Sequence, residues 1–234
     1  MNSNPRRISI IVPVLNEQEL VKPLEHHIRR ATTVDGVLEI IYVDGESSDS
    51  TVSRAAQLDA LVLESDKGRA KQMNLGAQEA SGDILYFLHA DTIPPFGFDQ
   101  AIISAIDAGT EAGCFRMKFD SNSCFLSFFA WFTRFNHWLC RGGDQSLFIK
   151  HSHFNDLGGF DENYQVYEDL EFIGRLYRKN DFKVLPQYVV TSARKYNQVG
   201  KYRLQYHFAV IHLKNYLGAS PEAIYAYYKR HILN

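Results

Sequence analysis

Residues 87–92 read FLHADT, an apolar run that ends on His89 and Asp91. A carboxylate in that position is costly to bury without a partner, but cheap at a sheet rim where it faces a ligand or a metal ion. Two other apolar runs end in the same way. ISIIVPVL (8–15) leads into Asn16 and Glu17, and VLEIIYVD (37–44) ends on Asp44, followed by Gly45. Further residue types suited to chemistry stand in KGRAKQMN (67–74), in RGGDQ (141–145), in YED (167–169) and in TSARKY (191–196). Mg²⁺ and Mn²⁺ prefer oxygen ligands and keep several waters, so one or two carboxylates can hold either ion. A helix N-terminus flanked by cations can hold phosphate, which suits Lys67, Gly68 and Arg69, with Lys71 and Asn74 one and two turns further on. The alternative for that stretch is a solvated basic face. A carboxylate such as Asp169, with Glu168 beside it, can take a proton from a hydroxyl; first-turn acids that satisfy a helix dipole have the same appearance.

The elements that must position these residues alternate in a regular way. Strands are expected at 8–15, 37–44, 60–65 and 83–91, the first two buried on both faces, separated by helices at 17–32, 48–58 and 68–81. Continuous β-branched runs mark strands covered on both faces. Strand–helix repetition of this kind predicts a mainly parallel α/β sheet with right-handed crossovers, in which ligands sit beyond the carboxyl ends of the strands. Asn16/Glu17, Asp44/Gly45 and His89/Asp91 then share one rim. Asn16 also suits a helix N-cap, and Ser48/Asp49 the start of the next helix. Later strands are expected at 113–119, 144–150 and 182–186, with helices at 167–180 and 201–217 and from Ser220–Pro221 onward. Tyr206, Val210, Leu213 and Leu217 fall on one face of the helix 201–217. The expected organisation is a domain over 1–196 with a C-terminal helical appendage, 197–234, packed on it.

Composition bounds the partners. The 234 residues carry a net charge of −2, which leaves no polycation argument for nucleic acid. Residues 194–234 hold seven Lys/Arg and one Glu, a surplus of six positive charges, so the rest of the chain stands at −8. That basic segment suits an anionic partner. Cys114, Cys124 and Cys140 form no CxxC pair and fit a reducing compartment. The N-terminal apolar run is short for a signal peptide and FLSFFAWF (125–132) is short for a membrane span. The expected location is the cytoplasm, with peripheral contact at the inner face of the membrane through 124–140 and the basic C-terminus. For CFLSFFAWFTRFNHWLC (124–140) three readings stand side by side: core packing, a membrane or lipid-acceptor surface, and carbohydrate stacking.

VPVLNE, VDGESSDST, KGRAKQMNLGAQEASGDILYFLHADT, LGGFDE and YEDLEFIGRL together resemble the family 2 glycosyltransferases, inverting enzymes with the GT-A fold. They occur in that family's order and approximate spacing from about residue 8 to 196. The GRAKQMN…FLHAD and RGGDQ blocks look like a compact bacterial subgroup. The resemblance implies a Rossmann-like sheet, a nucleotide-sugar donor that is expected to be UDP-linked, and a hydroxyl acceptor on a sugar, lipid or small molecule. It implies Mn²⁺ or Mg²⁺ held by Asp91, the last Asp of a DxD signature. His89 stands where the first Asp usually does and is read as a ligand, a supporting residue or a nucleotide contact. Pro13, Asn16, Glu17 and Asp44 would line the nucleoside pocket, with Asp44 accepting from the base N–H. Asp49 is open between helix capping and ligand contact. Asp169 would be the base and Glu168 its neighbour. Gly143 and Asp144 would meet donor or acceptor sugar. Arg194 is open between gating phosphate and surface charge. Two other classes compete: a nucleotidyltransferase, disfavoured because PVLNE replaces the Gly-rich loop expected after the first strand, and a non-catalytic nucleotide-sugar-binding module.

Overall fold

The structure is a computed structural model that describes residues 6–34, 38–179 and 182–233. The expected strand start at Val37, the helix end at Asn180, residues 1–5 and Asn234 lie outside the described residues. In chain order the elements are β1 (Ile8–Val14), α1 (Val21–Ala31), β2 (Leu38–Asp44), α2 (Thr51–Ala55), β3 (Leu61–Glu64) and α3 (Arg69–Glu79). There follow β4 (Ile84–Phe87), β5 (Thr92–Ile93), α4 (Phe98–Asp107), β6 (Ala112–Phe119) and α5 (Cys124–Trp131). The chain continues through β7 (Leu147–Lys150), α6 (His151–Asp156), α7 (Glu168–Arg178) and β8 (Phe182–Thr191). It closes with α8 (Arg194–Val199), α9 (Lys201–Tyr216) and α10 (Pro221–Tyr228).

The strands form one sheet in the order β3-β2-β1-β4-β7-β6-β8-β5. The first four are parallel, as the alternating pattern predicts. Beyond them the sheet is mixed: β7 runs antiparallel to β4 and β6, β6 and β8 are parallel, and β5 is antiparallel to β8. Alternate residues of β1 serve opposite faces, as strand geometry requires. Ile10 and Val12 pack with Leu24, Ile28, Phe98 and Ile102, whereas Ile11 packs with Met73, Ala77, Phe172 and Leu176. The result is a sheet between two helical layers.

At Gly76, α3 packs directly against the side chains of β1 and β2. A Cβ there would meet Ile11 Cγ2 at 2.5 Å and Val43 Cγ2 at 3.1 Å. Gly76→Ala is therefore expected to cost about 1–3 kcal/mol and to lower the melting temperature by several degrees. An unchanged thermal melt would show that α3 is free to ride up.

Several expected boundaries shift for physical reasons. β8 continues past Pro186 to Thr191, because Pro186 and Gln187 form a bulge between the Phe115–Leu185 and Arg116–Tyr188 pairs. A proline is tolerated at such an irregularity, where a ladder hydrogen bond is already lost. β7 begins at Leu147, not at residue 144: Gly143–Gln145 form a 3-10 turn and Ser146 has φ 62°. Asp144 is thereby kept off the strand. The helix after β1 starts at Val21 rather than at 17, so Asn16 does not cap it. α9 buries Leu204 and Ile211 against α10 and the Tyr164–Tyr167 stretch, while Tyr206, Leu213 and Leu217 are exposed. The core reading of 124–140 also fails for most of its rings: Leu126, Ala130 and Thr133 are buried, but Phe128, Trp131, Phe132, Phe135 and Trp138 are exposed.

Candidate active site

The carboxyl ends of β1 and β2 lie side by side, with Val14 opposite Asp44 and Pro13 opposite Val43. Asp44 is buried. Its Oδ2 accepts from the Ser47 N–H at 2.8 Å, and among the described residues its Oδ1 has no hydrogen-bond partner. An unpaired buried carboxylate oxygen is an acceptor waiting for a donor. Gln72, which the sequence reading did not single out, knits the two strand ends by donating from Nε2 to the Val14 and Val43 carbonyls at 2.9 and 2.7 Å. It also explains Gly45, since a Cβ there would lie 2.9 Å from Gln72 Cδ. A second acid after Asp44 would displace this buried amide.

Asn16 adopts φ 55° and ties the loop after β1 to the one after β2. Its N–H donates to Ser47 Oγ at 2.8 Å, and its Oδ1 accepts from the Ser48 N–H at 2.8 Å. Asp49 accepts from the Thr51 N–H at 2.9 Å, so it holds the first residue of α2 from the position before Ser50, the cap residue. Glu17 receives both Arg194 guanidinium nitrogens, at 2.6 and 3.1 Å. Arg194, the first residue of α8, thus spans the rim from the far side of the sheet. Lys67 is exposed before Gly68, which precedes α3 with φ 142°. Two weaker candidates turn away from the cleft. Lys71 pairs with Asp66 at 2.8 Å, and Asn74 bonds the Phe160 backbone and Glu162. Asn74 therefore anchors the LGGFDE loop to α3.

The acids gather where β4 ends and α7 begins. His89 and Asp91 lie in the turn between β4 and β5, and Glu168 and Asp169 open α7 behind Tyr167, whose φ is 77°. His89 is buried with one ring nitrogen toward each of two carboxylates: Nδ1 is 3.5 Å from Asp144 and Nε2 is 3.6 Å from Asp169. Burial and the Arg69 charge push the imidazole pKa down, but Asp144 and Asp169 outweigh them and carry it up to about 10. Burial pushes Asp144 up, yet His89, Arg69 and Lys195 hold it below the usual carboxylate range. Asp91 goes the other way, raised by burial and by the Asp144 carboxylate. A dication at Asp91 would relieve that repulsion, so the residues fit Mg²⁺ or Mn²⁺, which need only one or two protein carboxylates when substrate phosphates and water complete the shell. Both nitrogens of His89 already face carboxylates, which argues against His89 as a ligand.

Glu168 is buried and 3.8 Å from Arg69, beyond hydrogen-bond reach, and among the described residues its Oε1 has no hydrogen-bond partner. Burial and the neighbouring Asp169 raise its pKa from 4.5 to about 7. In that interval the folded state binds more protons at this site than the unfolded chain, so ionisation of Glu168 erodes stability as pH rises. Relative to the native chain, Glu168→Gln is expected to gain melting temperature between about pH 4.5 and 7 and to level off above. Parallel melting curves across that range would show that Glu168 is not held neutral.

A single rim thus gathers a buried acceptor without a partner among the described residues, a buried carboxylate raised by a second one, and a buried imidazole between two carboxylates. The description "Glycosyl transferase family 2" matches residues 9–155, and the chain belongs to that family. Among curated proteins it is 31% identical over 101 residues to the glycosyltransferase AglE of Haloferax volcanii, covering 40% of this chain and 33% of that one. It is 30% identical over 112 residues to the dolichol-phosphate mannosyltransferase of Pyrococcus furiosus, covering 45% and 31%. The match to the probable glycosyltransferase YdaM of Bacillus subtilis is 24% over 196 residues, covering 73% and 46%. The chain thus spans less than half the length of each of these relatives. In fold it resembles S. aureus TarS 1–349, solved in complex with UDP, with TM-score 0.67 and 17% identity over 80% of this chain and 60% of that one. It also resembles the mannosyltransferase PcManGT from Pyrobaculum calidifontis, solved with GDP-Man and Mn2+, with TM-score 0.64 and 20% identity over 80% and 57%. These likenesses establish the α/β fold with its mixed sheet flanked by helices as that of the GT-A transferases.

Proposed function

We propose that this chain is an inverting, metal-dependent glycosyltransferase that moves a hexose-type sugar from a nucleotide diphosphate to a hydroxyl acceptor, with UDP-linked sugars the first donors to test. Residues 1–196 form its transferase unit and 197–234 an appendage packed on it. The observation that carries the reading is the approach of His89, beside Asp91, to Asp169, which brings the diphosphate end of the rim and the base to one place.

The roles follow from what each side chain touches. Pro13, Asn16 and Glu17 line the nucleoside end, and the free Oδ1 of Asp44 accepts the base N–H. Lys67, the N-terminal amides of α3 behind Gly68, and Arg69 receive phosphate oxygens. Asp91 holds the cation, which when bound supplies the positive charge that stabilises the departing diphosphate. Asp169 takes the proton from the acceptor hydroxyl as its oxygen attacks the anomeric carbon from the face opposite the leaving group. The bond to the diphosphate oxygen breaks, its electron pair leaves with the nucleotide, and the configuration inverts. His89 keeps Asp169 and Asp144 in register, with Glu168 behind the base, while Gly143 and Asp144 meet sugar hydroxyls. Arg194 is poised to exchange Glu17 for phosphate. The reaction is placed in the cytoplasm, in peripheral contact with the inner face of a membrane.

A thermal-shift panel of nucleotide sugars, each with and without Mn²⁺, tests the reading. A matching donor at 100 times its Kd stabilises by about 2.7 kcal/mol, a shift of several degrees. If no donor shifts the melt with Mn²⁺ present, the reading fails. Pyrophosphate release from a nucleoside triphosphate and a sugar phosphate would assign a nucleotidyltransferase instead.

A further inference from the structure

We propose that the exposed aromatic segment 125–139 and the outer row of α9 form one face that docks on an anionic lipid membrane. The proposal names the surface behind the membrane contact assigned above and leaves the catalytic roles untouched.

The first observation is the exposure itself. Phe128 and Leu139 keep 58% and 60% of their surface in solvent, and Trp131, Phe132, Phe135 and Trp138 are also exposed. The rings pack on one another in the open, with Trp131 5.3 Å from Phe132 and 5.0 Å from Phe135. A continuous exposed apolar patch of this kind marks a partner surface. The second observation is the means that holds it. Arg141 is buried, and among the described residues its hydrogen-bond partners are carbonyls and a thiol, not a carboxylate. Its guanidinium donates to the Thr133 carbonyl at 2.8 Å, to the Phe135 and His137 carbonyls, and to Cys114 Sγ at 3.1 Å. Burying a cation is costly. Here it fixes the backbone of the turns that carry the outward rings.

The third observation joins this patch to α9. Phe125 meets Tyr202 with ring centroids 4.5 Å apart, and Lys201 Nζ reaches Ser123 Oγ at 3.5 Å. From Tyr202 an exposed row continues through Tyr206, Leu213 and Tyr216. The opposite side of α9 packs inward through Leu204 and Ile211.

Charge decides the occupant. The segment that contains α9 carries six surplus positive charges, against −8 for the rest of the chain. Arg134 stacks on Trp131 at 4.5 Å, within the patch itself. Aromatic rings with polar edges, interleaved with Lys and Arg, suit the headgroup boundary of an anionic bilayer. A second copy docked through the same face would bring two basic segments together and be repelled. Among the described residues no helix is long and apolar enough to cross a membrane, so docking is in the plane of the surface.

Sedimentation of the full chain with phosphatidylcholine vesicles, with and without phosphatidylglycerol, tests the proposal. Binding is expected to require phosphatidylglycerol and to weaken with salt. The exposed double substitution W131S/F132S should cut partitioning by at least about tenfold with an unchanged melting temperature and unchanged nucleotide-sugar hydrolysis in the absence of vesicles. R134Q, within the patch, should reduce the salt sensitivity. No binding by the native chain, equal binding by W131S/F132S, or a light-scattering dimer that W131S/F132S dissociates would overturn it. Loss of hydrolysis in the native chain with lipid binding intact would count against the transferase reading alone.

Discussion

Asp169→Asn is expected to lower the transfer rate by about 10²–10⁴-fold, the usual contribution of a positioned general base, while nucleotide affinity stays within a few-fold of the native value. The substitution is nearly isosteric. The introduced amide keeps the size and shape of the carboxyl, so it fits the same place 3.6 Å from His89 Nε2, without the charge that attracts the imidazole. What is lost is the ability to take a proton. Asp169 sits in the first turn of α7, whereas the nucleoside end of the rim is assigned to the ends of β1 and β2, so the contact to the base at Asp44 is retained. The measurement pairs turnover at saturating donor and acceptor with a titration of UDP in the presence of Mn²⁺. Native-like turnover would remove Asp169 from the mechanism. Loss of nucleotide binding together with turnover would mean that Asp169 supports the pocket.

Asp91→Asn is expected to abolish the dependence on metal and to lower transfer by on the order of 10²-fold or more, because the departing diphosphate then loses several kcal/mol of charge stabilisation. The amide offers one neutral oxygen where the carboxylate offers two anionic ones. Asp91 is also held among like charges, its pKa raised by burial and Asp144, so the substitution relieves repulsion in the metal-free protein. The two effects separate in a thermal melt. Metal-free Asp91→Asn should be as stable as the native chain or more so, and Mn²⁺ should no longer add to the shift produced by nucleotide. A variant that retains full Mn²⁺-dependent turnover would show that Asp91 is not the ligand.

Some of this site is visible in the primary structure because the signals are local. A short continuous apolar run between turn signals has the pattern of a strand covered on both faces, and the runs of this chain end on polar residues. That is why Asp44 and Asp91 stand out before any coordinate is known, and why β1, β2 and β4 fall where the runs are. The order of the short motifs carries the family in the same way. Other features depend on partners far away in the chain. Nothing near Gln72 announces that it will knit Val14 to Val43, 58 and 29 residues away. Asn16 looks like a helix cap because Asn commonly is one; a contact with Ser48, 32 residues on, claims it instead.

The order of apolar and polar residues along this chain was sufficient to determine that it builds a layered α/β sheet with acids at its carboxyl rim, since burial of strands and amphipathic helices is a property of each segment. Packing alone decided the rest: that β7 enters between β4 and β6, that β8 passes Pro186 on a bulge, and that His89 stands between Asp144 and Asp169. It also decided that the rings of 125–139 face outward, because Arg141 binds the carbonyls of their turns. Such outcomes arise from pairings between residues distant in sequence, whose energies exist only once the chain has closed upon itself.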